Sequence, residues 1–168
     1  MSRTILVDLS PASIKAAAKE LRDYAHGLQA KADAIASRLA SMGATNVSIG
    51  FARAYYDGPK DVAVTVEQRG PGTYAIVAAG TTVLIIEFGA GVTMGAGHPQ
   101  AGQFGYGPGT YPGQKRAMNP NGWWFKDHEG ETEFAHHTYG NPPSMTMYLT
   151  AKDLRAEIER VVQEVFNS

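Results

Sequence analysis

Four histidines, His98, His128, His136 and His137, fall within forty residues of one another, with Glu87, Asp127, Glu129, Glu131 and Glu133 nearby in the chain. Imidazole nitrogens and carboxylate oxygens are ligands that zinc accepts, and a zinc ion with an open position activates water. A small metal-dependent hydrolase acting on cell wall is therefore one reading of the chain. The spacing speaks against it. No His-Glu-x-x-His occurs, no pair of histidines stands at the i, i+4 separation of a helical site, and adjacent His136 and His137 on extended chain point to opposite faces. The preferred reading is a polar loop whose histidines hydrogen-bond to backbone, with no metal ligand assigned and no cofactor expected.

Glu87 is the most singular titratable residue, a lone carboxylate in the apolar run Val83-Leu84-Ile85-Ile86-Glu87-Phe88. An unpaired buried carboxylate is costly, so it must find a cation, several backbone amides or an edge position. A general base needs a nucleophile or a partner acid, and neither accompanies it. The expected role is a structural acceptor holding the glycine turn that follows. The glycine clusters Gly89-Ala90-Gly91 and Gly95-Ala96-Gly97 resemble fragments of a dinucleotide fingerprint. A fingerprint, however, opens a helix inside a βαβ unit, and here Pro99 and further glycines follow. The stretch from Gly105 to Lys115 likewise lacks the Gly-Lys-Ser/Thr ending of a phosphate loop.

From residue 89 to 149 glycine, proline and aromatic residues replace nearly all aliphatic ones. So long a segment without regular structure is functional or disordered, and disordered sequence is poor in aromatics. Phe104, Tyr106, Tyr111, Trp123, Trp124, Phe125 and Tyr139, with Met145, therefore mark a loop that orders against something, either its own sheet or a partner. Large rings anchor the centres of interfaces, and these residues are the candidate partner-binding set.

The elements that must position this loop follow from periodicity. Thr4 to Leu9 suggests a short strand. Ser10-Pro11 reads as a helix cap and first position. Ile14, Leu21, Leu28, Ile35 and Met42, interleaved with Ala18, Ala25, Ala32 and Leu39, give a narrow apolar seam for a helix over 11–42, with Gly43 as its C-cap. The seam is expected to lie across the chain's own sheet rather than form an intersubunit coiled coil. From Val47 the period changes to two. Val47, Ile49 and Phe51, then Val62 to Glu67, Tyr74 to Ala79 and Val83 to Phe88, separated by Tyr56-Asp57-Gly58-Pro59, Gly70-Pro71-Gly72 and Gly80, predict a four-stranded antiparallel meander over 47–88. Thr150 and Asp153 start a helix over 151–166 with a stripe of Leu154, Ile158, Val161 and Val165. The fold class is α+β in a single domain, 1–168, with the helices packing the small sheet.

Sixteen acidic and fifteen basic residues leave a net charge of -1, so no clustered positive surface for nucleic acid is indicated. There is no cysteine, which excludes disulfides and thiolate metal sites. The opening MSRTILVDLS is too short in its apolar run for a signal peptide, and no stretch reaches the length of a membrane span. A soluble, cytoplasmically made chain is expected.

A long N-terminal helix, a β-meander, the sequence IIEFGAG, a glycine/proline/aromatic loop, Pro142-Pro143-Ser144-Met145 and a C-terminal amphipathic helix together resemble the HK97 gp10-like family of tailed bacteriophages and prophages. Glu87-Phe88-Gly89 is similar to that family's VEFGT-type motif, with Ala90 in place of threonine. GHPQAGQFGYGPGTYPG, NGWWF and HHTYGNPP resemble a longer-loop subgroup in prophages of Gram-positive bacteria. The resemblance implies a structural virion protein without catalytic residues, assembled in the host cytoplasm. Such a protein serves in the neck, in head–tail joining or in tail completion. It implies a ring of this chain, six by analogy, between connector or head-completion proteins and tail-tube or tail-completion proteins. There is no membrane role, and DNA is met only as it passes through the lumen.

Overall fold

The computed structural model describes Asp8 and residues 10–106, 116–125 and 136–167. The strand expected over Thr4–Leu9, apart from Asp8, lies outside these, as do Tyr111 and His128. The architecture is α+β. Helix α1 (Pro11–Arg53) is followed by strands β1 (Ala63–Gly70) and β2 (Thr73–Ala79), a short helix α2 (Val83–Phe88), strands β3 (Trp123–Phe125) and β4 (His136–Thr138), and helix α3 (Thr146–Asn167). Strands β1 and β2 form one antiparallel hairpin and β3 and β4 a second.

Helix α1 starts where its sequence says. The Ser10 hydroxyl accepts the Ser13 amide at 3.2 Å, and Pro11 takes the first position. It does not stop at Gly43 but runs eleven residues beyond the expected end at Met42. Gly43 is buried, and a Cβ there would lie 2.7 Å from a Leu154 methyl and collide with Ile76. Its missing side chain lets α3 and β2 approach the helix, which is why a glycine is tolerated mid-helix. The strand read over Val47 to Phe51 is therefore helix. Ala40, Gly43, Val47 and Phe51 are the buried positions, at spacings of three, four and four, while Ile49 faces outward. The helix ends at Ala54, whose amide returns to the carbonyls of Gly50 and Phe51, and Lys60 donates to the carbonyls of Ala52 and Ala54.

The hairpin turn at Gly70-Pro71-Gly72 stands where the sequence places it. It is fastened to α1 by Asp33, whose carboxylate accepts from the Gly72 amide at 2.9 Å and the Tyr74 hydroxyl at 3.1 Å. Burial and the Asp33 carboxylate together raise the pKa of Tyr74.

The fourth expected strand is also helix. Val83, Ile86 and Glu87 are buried at the i, i+3, i+4 spacing of α2. The four-stranded meander is thus a two-stranded hairpin flanked on both sides by helix. The core is made of Val47, Phe51, Val83 and Ile86, with Val64, Ile76, Ala78 and Met147 packed around them. Helix α3 begins at Thr146, five residues ahead of the expected start, so Thr150 is a buried residue of its second turn and not a cap. At the other end of α3, Lys31 donates to the carbonyl of Val165 and lies 4.7 Å over the Phe166 ring, while Arg38 pairs with Glu164. Among the described residues, the seam of α1 is therefore covered only from about Lys31 onward. Every residue from Leu21 to Ala30 is exposed.

Candidate functional site: the Glu87 junction and the aromatic hairpin

Two neighbouring regions collect the residues singled out in the sequence. The first is a buried junction at Glu87. It is built from Asp61, in the loop before β1, which accepts the amides and hydroxyls of both Thr81 and Thr82 at 2.5–2.9 Å. The two hydroxyls, then the two amides, hold the Asp61 carboxyl far below the usual carboxylate range. That clamp starts α2. The last carbonyls of α2 are taken up by the segment before α3: Asn141 donates to Ile85, Ser144 to Ile86 and Met145 to Glu87. These groups would otherwise be left without partners at the helix end.

The Glu87 side chain then reaches the start of α3. Its two oxygens accept the amides of Met147 at 2.9 Å and Tyr148 at 3.1 Å. Met145, which precedes the helix, has no side-chain acceptor and sits at φ 54°, a conformation few non-glycine residues adopt. Glu87 thus supplies, from sixty residues upstream, the cap that serine or aspartate normally supplies locally. The glycine turn that Glu87 was expected to hold is not what its side chain contacts: it accepts from the α3 terminus, and it does so from a helix rather than a strand. Phe88 is half-buried, stacked on Tyr106 with centroids 4.3 Å apart and edge-on to Phe104 at 5.6 Å. Gly89 ends α2 at φ 81°, where a Cβ would lie 2.8 Å from the Pro143 nitrogen.

His98 was legible as a histidine but not as the partner of Glu87. Its Nε2 lies 3.4 Å from Glu87 Oε1, both side chains being buried. Its Nδ1 accepts the Gln100 amide at 3.1 Å, which places the ring proton on Nε2, facing the carboxylate. Both ring nitrogens are engaged, so the pair has no nitrogen to offer a substrate or a metal. His137 faces the Asn121 carbonyl at 3.1 Å and the rings of Trp124 and Tyr139. Among the described residues no three of His, Cys, Asp and Glu come together as a metal-binding group.

The second region is the hairpin β3–β4. Trp123 pairs with Thr138, Trp124 with His137 and Phe125 with His136. It is anchored by Ala90 and Asn141, which exchange amide-to-carbonyl bonds of 2.9 and 3.0 Å. Gly140, at φ 97°, leaves no room for a side chain against the Ala90 carbonyl. Trp123 and Phe125 are half-buried and line a 160 Å³ cavity with Ile85, Ala90 and Tyr56. Trp124 and Tyr139 face outward, 61% and 53% exposed. The aromatic residues expected to act together therefore divide. Phe104 and Tyr106 belong with Phe88 beside the Glu87 junction, Trp123 to Phe125 and Tyr139 belong to the hairpin, and Met145 is the turn into α3. No described helix is long and apolar enough to cross a membrane. Comparison with known protein families, with curated proteins and with solved structures finds no match to this chain.

Proposed function

We propose that this chain is a structural virion protein of a tailed bacteriophage or prophage. It forms a ring, of six copies by analogy, in the neck or at the head-proximal end of the tail and joins head to tail. It is not an enzyme, and its neighbours are connector or head-completion proteins on one side and tail-tube or tail-completion proteins on the other. The observation that carries the reading is the presentation of Trp124 and Tyr139 on a hairpin bolted to a rigid buried junction. Outward rings on a fixed support are what an interface anchor requires. The occupancy of both His98 nitrogens supports the same reading over a metal-dependent hydrolase, since that pair holds backbone rather than awaiting a ligand. The order of motifs resembling the phage neck family supplies the assembly.

Electron micrographs of the purified chain, alone and mixed with phage particles lacking their neck, test it. Rings and joined heads and tails are expected. Persistent single subunits in both samples, or zinc-dependent hydrolysis of cell wall, would overturn the proposal.

A further inference from the structure

The cavity beneath the β3–β4 hairpin has a composition that the interface reading does not use. Rings from two distant parts of the chain line it. Tyr56 comes from just after α1, and Trp123 and Phe125 come from the half-buried face of β3, opposite the exposed Trp124. Glycines let backbone pass close behind these rings. A Cβ on Gly58 would lie 2.9 Å from a Tyr56 ring carbon, and one on Gly91 3.2 Å from a Trp123 ring carbon. At 160 Å³ the cavity is about the size of one that admits benzene.

The polar groups around it are one-sided. The amides of Ala90, Gly140 and Asn141 are spent on the Asn141 carbonyl, the Thr138 hydroxyl and the Ala90 carbonyl. The Asn141 side chain gives its two amide hydrogens to the carbonyls of Ile85 and Pro142. These walls therefore hold back the donors that an anion would need. What they offer instead is an acceptor. Asp57 lines the cavity, is exposed, and has no ion-pair partner among the described residues. No described lysine, arginine or histidine lines the cavity.

We infer that this cavity is a binding site for a methylated ammonium group, held by the rings of Tyr56, Trp123 and Phe125 and by the Asp57 carboxylate. Aromatic faces attract a cation through the ring quadrupole, and more strongly where water is excluded. Asp57 is the single charged acceptor among the described lining residues. A head group rich in N–H donors would leave most of them unpaired against the rings, whereas a methylated one has few or none to satisfy. An anion would meet both Asp57 and the negative ring faces. A neutral apolar group would fill the space and gain nothing from Asp57. The site is built from this chain alone, and it stands whether or not the ring reading does.

Calorimetric titration of the purified full chain tests this with two probes: choline, and its uncharged isostere in which carbon replaces the quaternary nitrogen. Choline should bind saturably, and the isostere at least about tenfold more weakly. Asp57→Asn should weaken choline by about fivefold and leave the isostere unchanged. Phe125→Leu keeps an apolar wall but removes a ring, and it should weaken choline by about threefold or more. Circular dichroism checks that each variant is folded. Should Phe125→Leu fail, the exposed Asp57→Asn still decides the matter. Equal affinity for the two probes would reduce the site to an apolar cavity and overturn the inference. So would the absence of saturable choline binding in the millimolar range, or binding that Asp57→Asn leaves untouched. A third titration, with an acetylated trimethyl-lysine amide, identifies the source of the cation. Tighter binding than choline assigns a modified side chain, and weaker binding assigns a free small molecule.

Discussion

The Glu87 junction and the β3–β4 hairpin lie side by side and draw on the same glycine- and aromatic-rich stretch, yet they are opposites. At the junction, Glu87 and His98 are buried, and the carboxylate oxygens and ring nitrogens all have partners inside the chain. At the hairpin, Trp124 and Tyr139 stand in solvent on a backbone that is itself well anchored. Composition marks both regions as places where the chain orders against something. Only burial distinguishes the region whose partner is already present from the region that still presents a surface.

The largest effect that separates them is expected at Glu87. Glu87→Ala removes the acceptor of two helix-terminal amides and leaves His98 facing a gap. Breaking such a buried pair costs about 3–5 kcal/mol, read from urea unfolding. A loss under about 1 kcal/mol would show that the junction is not what holds α3 to α2. Glu87→Gln keeps one acceptor oxygen and should cost less, about 1–2 kcal/mol. If it were as damaging as alanine, the charge rather than the geometry would be the source of the stabilisation.

Trp124→Ala sharpens the contrast from the other side. It should change folding stability by no more than about 0.5 kcal/mol, as for other exposed positions. If Trp124 anchors the proposed ring, the same truncation should cost that contact about 2 kcal/mol or more, visible as lost particle yield. A melting temperature as low as that of Glu87→Ala would return the ring to the core and remove the distinction between the two regions.

For Asp61→Asn the effect is expected to be present at neutral pH and to shrink as the solution is acidified, becoming the smallest of the set at the acid end. The folded pKa of Asp61 lies below its ordinary value of 3.8, so the ionised carboxylate contributes stability above that value. That contribution fades as pH falls towards the folded pKa. Between about pH 5 and pH 2 the wild type should lose more stability than Asp61→Asn, measured by unfolding at each pH. Parallel curves for the two proteins would mean that the clamp on Thr81 and Thr82 exists equally in the unfolded chain.

Signals confined to a few neighbouring residues were legible in the sequence. Ser10-Pro11 starts α1, Gly70-Pro71-Gly72 turns the hairpin, and the stripe through Leu154 and Val161 makes α3 amphipathic, because each depends on backbone geometry or periodicity within a turn or two. The α+β class followed from these. The segment 83–88 was not legible. Six residues with one polar member satisfy a strand and a helix equally. The choice was made by Asp61 at its start and by Asn141, Ser144 and Met145 at its end. The same holds for 47–51, where alternation suggested a strand and the approach of Ile76 and Leu154 to Gly43 kept the helix running. The sequence by itself determined that Glu87 had to find amides, a cation or an edge position, since an unpaired buried carboxylate is costly. Only the tertiary structure decided that the amides are those of Met147 and Tyr148 and that His98 completes the set, because those partners are distant in the chain and no local preference encodes them.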